Sequence, residues 1–553
     1  MSARRSRAAI RRRRILPAAL AAILAACNTG SETGNPSKVS GRIRTSDGIP
    51  AAGARVILVP EGFVPAADGD IAALPHALTD SEGRYRFAVA PGSYSLEAVN
   101  PADGTRSRAT GLRFGDGPAE IPPQTLAAPG SIDAALSGAA DTVTGFIYIP
   151  GSTYRAAVRA AAASVRLDSL PPGIIDSLSY CDVRRGLRRA FAWGIRVEPE
   201  ASASAAGPYL AWRKSALLGI GNGIPGGGLA GFPLRVLLPD SVMGGIGPGG
   251  SALRATNARG EPLPCEYQGP AGSAALWVRM DSLPSGRSAA LRLYWDYGGE
   301  TPMPPAWAQG SVFSAADGFA GAWHLDEDPS GGRLADATGQ GNDGSAFGYS
   351  GANAAAPGVA GGALAFDGKA RYAGTRRAFD DPEVFTALVW FQAGPSAGGR
   401  LFEFADKDSA RATYWDRLLH IYADGTVHFG VYPPDTAGRP MPTPSSYKIL
   451  GSTGAYDDGA WHQAAVRLSR EGQALFLDGE KVAEDTASRA AQNINGYWRM
   501  GYGQLSKWGP AGTGEWFQGA LDEFWVAHAA LPDAYVKLSY ENLKPGSRLV
   551  IWP

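Results

Sequence analysis

Along most of this chain apolar residues either alternate with polar ones or stand in short unbroken runs, and glycine, proline, asparagine or aspartate separates one run from the next. Val39-Ser40-Gly41-Arg42-Ile43 and Tyr85-Arg86-Phe87-Ala88-Val89 alternate, whereas Phe385-Thr386-Ala387-Leu388-Val389-Trp390-Phe391 is apolar almost throughout. A period of two puts successive side chains on opposite faces of a strand, so the first kind predicts strands with one wet face and the second predicts strands buried on both. Thr79-Asp80-Ser81-Glu82-Gly83 and Ala90-Pro91-Gly92 have the residues that turns require. The pattern therefore predicts an all-β chain of several domains.

At 553 residues the chain is long for one domain, and length alone suggests roughly three or four. Its 73 glycines and 41 prolines are spread between the strand-like runs, as expected for many short strands joined by turns. The 52 basic and 52 acidic residues cancel, which removes the electrostatic case for a nucleic-acid partner. A basic cluster at Arg184, Arg185, Arg188 and Arg189 reads as a solvated face.

Residues 1–27 are set apart from the fold. Arg4, Arg5, Arg7 and Arg11 to Arg14 precede the apolar stretch Ile15 to Leu24, and Leu24-Ala25-Ala26-Cys27 resembles a bacterial lipobox. The resemblance implies a signal peptide cut before Cys27 and a lipid on that thiol. Several acyl chains on one residue anchor more firmly than one, so the membrane becomes a partner through Cys27. Residues 28–38 are polar and read as a flexible tether. The implied location is the bacterial cell envelope, at the outer membrane or cell surface. Cys181 and Cys265 fall in different predicted modules, and no spacing argues for their pairing.

Residues 39–128 combine V-x-G-x-I, G-A-x-V, T-D-x-x-G-x-Y-x-F and P-G-x-Y, a set that resembles the carboxypeptidase regulatory-like β-sandwich. A second small β module is expected at 129–200, where Val143-Thr144-Gly145-Phe146-Ile147 repeats the opening. In residues 210–298, Phe232-Pro233, Leu276-Trp277-Val278 and Leu293-Tyr294-Trp295-Asp296-Tyr297 resemble a bacterial surface domain of unknown function, type 2341. Arginine alternating with apolar residues in its last two strands predicts one buried and one wet face. A proline-bearing linker is expected at 299–311 and a C-terminal extension at 536–553.

Between them, residues 312–535 carry Trp323-His324-Leu325-Asp326-Glu327, Gly341-Asn342-Asp343-Gly344, Phe366-Asp367-Gly368, Trp461-His462, Leu477-Asp478-Gly479 and Leu521-Asp522-Glu523-Phe524. These motifs, in this order, resemble a laminin-G-like, concanavalin A-like jelly roll. One fold of this kind hosts many functions, so residues must carry the functional argument. Tyr414 with Trp415, Tyr497 with Trp498, and Tyr502 with Trp508 lie in polar, loop-like surroundings, and a sugar ring can stack its C–H face on an exposed aromatic. They are the carbohydrate-binding candidates.

Catalytic residues are not assigned. The chain has no E-x-D, the one-strand spacing that glycoside hydrolases of this fold use to face two carboxylates across a cleft. Gly394-Pro395-Ser396-Ala397-Gly398 has the spelling of a nucleophile elbow, but strand-like runs flank it; Gly221 to Gly226 has that of a dinucleotide loop, but no helix pattern follows. Neighbours such as Asp522-Glu523 are expected on opposite faces of a strand. His324 and His462, each after a tryptophan, read as structural. No organic cofactor is expected. Calcium is the candidate metal, with hard oxygens at Asp326, Asn342, Asp343 and Asp522. Three readings stay open: a non-catalytic protein that binds a glycan or another extracellular ligand, an adhesive scaffold with protein ligands, and a glycoside hydrolase or lyase.

Overall fold

A computed structural model describes residues 37–553 except 66–70, 136–144, 160–161, 183–186, 207–208, 210–211, 222–227, 259, 270–273, 287, 298–308, 351–354, 410, 434–446, 506–507 and 509–513. Cys27, its signal segment, most of the tether, Arg184, Arg185, Asn222 to Gly226 and most of the expected linker lie outside the described residues. Two compact units result, Met1–Pro129 with Pro150–Thr153, and Gly130–Ile149 with Tyr154–Pro553. The architecture is all-β, with strands throughout and two α-helices among the described residues, Asp240–Met243 and Asp533–Leu543.

The first unit is a sandwich of two four-stranded sheets. Strand Arg84–Val89 shows the alternation in its clearest form, with Tyr85, Phe87 and Val89 buried and Arg84, Arg86 and Ala88 exposed. The second unit opens with a small sandwich built on strands Gly130–Ala135 to Ser202–Ala206, whose core includes Ile132, Ile147, Leu167, Leu178 and Phe191. Cys181 and Cys265 are not joined in a disulfide.

From Trp212 onward the chain forms two layered structures with one shared core. The upstream one joins a five-stranded sheet to a three-stranded sheet of Phe232–Leu237, Ala275–Met280 and Cys265–Gln268. The downstream one is a sandwich of two eight-stranded sheets. We call the sheet containing Phe385–Gln392 and Gln518–Ala527 the inner sheet, and the one containing Gly399–Ala405, Trp415–Ile421 and Tyr497–Met500 the outer sheet. Between them lies an apolar core of Trp323, Leu364, Val389, Phe391, Phe402, Phe404, Trp498 and Phe524, among others.

The inner sheet is also buried on its other face. Leu388, Trp390 and Trp525 pack with Trp277 and Phe313 into the core of the upstream module. Trp277 meets Phe313 at 5.4 Å and Trp525 at 5.8 Å between ring centroids. The expectation of a wet face on Ala275–Met280 is thereby corrected: Leu276, Trp277, Val278 and Met280 are all buried, and Arg279 pairs with Asp317 at 2.5 and 2.7 Å. The arginine sits in that strand because a carboxylate from the jelly-roll sequence meets it.

Helix Asp533–Leu543 completes the seam. It stacks Tyr540 on Trp390 at 5.6 Å and Tyr535 against Phe232 at 5.1 Å. Its Asn542 accepts from the Arg235 amide and donates to the Pro233 carbonyl, both at 3.0 Å, which occupies the main chain of an edge strand otherwise open to pairing. Val550–Ile551 then pairs with Gly219–Ile220 and adds the last strand to the five-stranded sheet.

A charged group sits inside this apolar seam. His324 Nδ1 lies 2.8 Å from Glu523 Oε1, and its ring stacks 5.4 Å from Trp277. Trp525 Nε1 donates to Glu523 Oε2 at 2.8 Å, and Gln268 Nε2 reaches Glu523 and Asp326 at 3.3 and 3.1 Å. Asp522 and Glu523 do not divide between faces as an unbroken strand would have them. The register slips here and Glu523 has a φ of 50°, a left-handed turn that costs about 1–2 kcal/mol, and both carboxylates come under the charge of Arg235. Burial opposes a charge on His324, yet the Glu523 carboxylate, with Glu266 and Asp326, carries its pKa up to about 10.

Two outcomes are expected. Trp277→Ala should cost about 3–5 kcal/mol, as deletion of a large core aromatic does, and calorimetry should show the upstream module and the sandwich still melting in one transition. Because the folded pKa of His324 is raised from 6.5 to about 10, its contribution is complete below about pH 6.5 and is lost as pH rises toward 10. Denaturant titrations of wild type and His324→Gln across that window should show the decline in the wild type alone.

Candidate functional site

With the inner sheet covered on both sides, the outer sheet offers the second broad face of the sandwich. Period two decides what stands on it. In Tyr497–Met500, Trp498 and Met500 enter the core, so Tyr497 and Arg499 belong to the opposite face. In Gly399–Ala405, Leu401, Phe402 and Phe404 go inward, and two register slips leave Arg400 and Glu403 outside the core. In Trp415–Ile421, Leu419 and Ile421 go inward and His420 does not.

The result is a buried polar group on an apolar sheet. Glu403 lies 3.4 Å from Arg400 Nε and 3.7 Å from Arg499 Nε, and all three side chains are essentially without solvent exposure. Arg400 donates to the Gln504 carbonyl at 2.8 Å and Arg499 to the Lys407 carbonyl at 3.2 Å. Burial pushes Glu403 up to about 7 against the pull of the two arginines. His420 is 3% exposed, neither ring nitrogen has a hydrogen-bond partner, and burial beside Arg400 and His428 pushes it well below the usual histidine range. Gly503 lies directly on the carboxylate: a β-carbon there would sit 2.1 Å from Glu403 Oε2 and 2.6 Å from Arg400 Nε.

Aromatic rings flank this group toward solvent. Tyr502 stacks on Trp516 at 4.2 Å, and Tyr372 stands edge-on to both at 5.9 and 6.0 Å. The Arg499 guanidinium is 4.9 Å from the Tyr502 ring and 6.0 Å from the Tyr372 ring. Tyr372 stacks in turn on Phe347 at 4.6 Å. These four rings are half-buried, so each keeps an edge or face in water. Apolar faces, hydroxyls and a fixed cation together suit a ligand that is itself amphipathic, with C–H faces and oxygen atoms.

The residues proposed from sequence separate into groups. Tyr502 belongs to the ring cluster, and Tyr497, half-buried, starts the strand that carries Arg499. Tyr414 is 42% exposed and Trp415 is half-buried at the head of its strand. Trp498 is a correction: it is wholly buried among Phe385, Phe402, Phe404 and Phe524, because it falls on the inward phase of its strand. Trp508 is a second correction, 4% exposed and packed with Leu418, Tyr432 and Tyr447, with a ring carbon that would lie 2.7 Å from a β-carbon on Gly430. Trp516 and Tyr372 were missed, as were Arg400, Glu403, Arg499 and His420. The signal available was a charge set in an apolar strand, as in Arg400-Leu401-Phe402-Glu403-Phe404.

The four calcium candidates fall into two separate networks. Asp343 accepts from Arg333 at 2.8 Å and from the Asp336 amide at 3.0 Å, and Asn342 donates to the Ala320 carbonyl at 2.7 Å. Asp326 and Asp522 sit at the seam, where Asp522 accepts from the Ala360 amide at 3.0 Å. These contacts tie the loops together, and no group of three or more His, Cys, Asp or Glu among the described residues could hold a metal. Gly394 to Gly398 is a turn between strands, with the Ser396 amide donating to Asp457 at 2.8 Å.

Two layered eight-stranded sheets, carrying the ordered motifs at their strands, match known proteins in one place. Residues 367–537 fit the family model of the concanavalin A-like lectin/glucanases superfamily. The C-terminal domain is a concanavalin A-like, laminin-G-like jelly roll. No curated protein matches the chain. Among solved structures it is similar to domain 4 of AbnA, an extracellular arabinanase of Geobacillus stearothermophilus in complex with arabinotriose. The identity is 17% over 40% of this chain and 96% of that one, with a TM-score of 0.29. It is also similar to the heptameric SAP-like pentraxin of Limulus polyphemus, at 17% identity over 33% and 81% with a TM-score of 0.24. The binding domain of Paraclostridial Mosquitocidal Protein 1 matches at 11% identity over 41% and 52%, with a TM-score of 0.30.

Gly503→Ala tests how tightly the jelly roll closes over its charged group. The added carbon must displace Glu403 or Arg400, and a loss of about 1–3 kcal/mol is expected in urea denaturation, as for other overpacked interiors.

Proposed function

We propose that this is a non-catalytic, lipid-anchored protein of the bacterial cell envelope whose jelly roll binds carbohydrate on its outer sheet. The observation that carries the reading is the cluster of Tyr372, Tyr502 and Trp516 around Arg499, half-exposed rings held in place by a guanidinium that is itself fixed from beneath. Rings immobilised before binding lose little freedom on contact, which favours stacking by a saccharide. Tyr414 and Trp415, at the head of the strand beyond Gly399–Ala405 in the same sheet, extend the surface. The upstream modules act as spacers, and Cys27 supplies the anchor.

A non-catalytic role is supported by the state of Glu403, the buried carboxylate of that face, whose neighbour Glu515 accepts from the Leu505 amide. Glycoside hydrolysis needs two carboxyl groups about 5–9.5 Å apart across the scissile bond. Glu403 is shut beneath Gly503 and held between two arginines, away from any substrate. A hydrolase reading draws on the same residue, since a carboxyl raised to about 7 suits a general acid.

The test is binding of the full chain to an array of plant and bacterial polysaccharides, with reducing ends assayed in the same wells. Saturable binding without release is expected, with Tyr502→Ala and Trp516→Ala each weakening it by about 1–3 kcal/mol on the scale of a lost stacking contact. Binding unchanged in both variants would remove the ring cluster from the reading, and released ends would establish the hydrolase. The array is run with calcium and with chelator, since Asp326, Asn342, Asp343 and Asp522 are the residues the sequence offers for calcium; equal binding in both takes the metal out.

A further inference from the structure

Far from the jelly-roll surface, the second unit contains a cleft of ≈ 440 Å³ lined by Arg188, Arg189, Arg213, Lys214, Arg292 and Trp295. It lies where Leu187–Val197, the edge strand of the small sandwich, passes Trp212–Ile220 and Ala289–Tyr297 of the five-stranded sheet. Five cations converge there in a chain whose formal net charge is zero. Among the described residues one carboxylate answers them: Asp296 lies 3.5 Å from Arg213 and 3.9 Å from Lys214. Arg189 spends its donors on the carbonyls of Tyr209 and Trp212, at 3.3 and 2.7 Å. Arg292 gives Nη1 to Ser215 at 3.1 Å, while its Nε is buried with no hydrogen-bond partner.

Trp295 also lines the cleft, with its ring packed into the core of the upstream module 6.4 Å from Trp552. Burial lowers the pKa of both Arg189 and Arg292, and the charge of Arg292 lowers that of Arg189 further. Trp193 stands 4.8 Å from the Arg292 guanidinium and is half-buried, which adds a second indole beside the cations.

We infer that this cleft is a binding site for a saccharide bearing a phosphate or sulfate group. Planar guanidinium forks bind tetrahedral oxyanions through paired hydrogen bonds, and the lysine adds charge without demanding geometry. Trp193 supplies what a bare ion does not use, an apolar surface for the sugar ring. Arg188 and Arg189 come from one module, and Arg213, Lys214 and Arg292 from the next. A bound oxyanion therefore ties the two together. This site is independent of the jelly-roll reading and stands or falls separately.

Calorimetric titration of the full chain with sodium phosphate, glucose 6-phosphate and glucose, at constant ionic strength set with chloride, tests it. Saturable binding of phosphate is expected, tighter binding of glucose 6-phosphate, and none of glucose. Arg292→Gln should weaken both at least tenfold. The double variant Arg213→Gln with Lys214→Gln, at exposed positions whose loss should leave the melting temperature unchanged, should also weaken both. Vesicles of phosphatidylglycerol separate the sources of phosphate: capture on vesicles that glucose 6-phosphate does not displace would overturn the sugar assignment. So would equal affinity for phosphate and glucose 6-phosphate. Heats that track ionic strength alone, or binding indifferent to both variants, would overturn the site.

Discussion

The packing of Trp277 against Phe313 and Trp525 is the contact on which the second unit depends. It makes the inner sheet of the jelly roll an interior element with apolar side chains on both faces, and such a sheet cannot be left bare in water. The three-stranded sheet of the upstream module and the helix after the last long strand are therefore parts of the jelly roll's own folding. The outer sheet and the loops above it are left as the solvent side of the sandwich, and the half-buried ring cluster stands there.

Charge has been buried at both broad faces of the sandwich, with opposite solutions. At the seam, His324 is cationic because Glu523 faces it, while the Trp525 indole donates to Glu523 and the Trp277 indole to Gln268. On the outer sheet the Glu403 carboxylate stands between two arginines, with Glu515 near enough to oppose its charge, and the ring of His420 remains neutral beside them. Interior ion pairs add little net stability compared with apolar residues, but removing one partner is costly, so they discriminate against wrong packing. The seam group fixes how two modules meet. The outer group fixes where Arg499, and through it Tyr502 and Tyr372, stand.

Much of the fold was legible in the residues. Alternation and turn spelling located the strands, and the Trp323-His324 and Asp522-Glu523 motifs proved to be the two halves of one contact. What misled was the weight placed on polar neighbours. Trp498 looked accessible beside Tyr497 and Arg499, but alternation alone assigns it to the core with Met500. Trp508 could not be placed by period, since it lies outside any strand and is buried by Gly430 across the sheet. The slip at Glu523 was likewise invisible, because nothing in Leu-Asp-Glu-Phe announces a bulge. Arg188 and Arg189 read as a solvated face for a related reason: their companions Arg213, Lys214 and Arg292 are distant in sequence, and only the approach of two sheets unites them.

The pairing of Val550–Ile551 with Gly219–Ile220 bears on how the chain is made. A ribosome completes Trp212–Ile220 long before it reaches residue 551, and the helix whose Asn542 covers the edge at Pro233 emerges almost as late. Throughout that interval the upstream module has one strand missing and one edge open, in a chain that is still lengthening. A partner that protects exposed strand edges would be needed most during those seconds, and truncated products ending before the helix would be the ones that aggregate or are degraded.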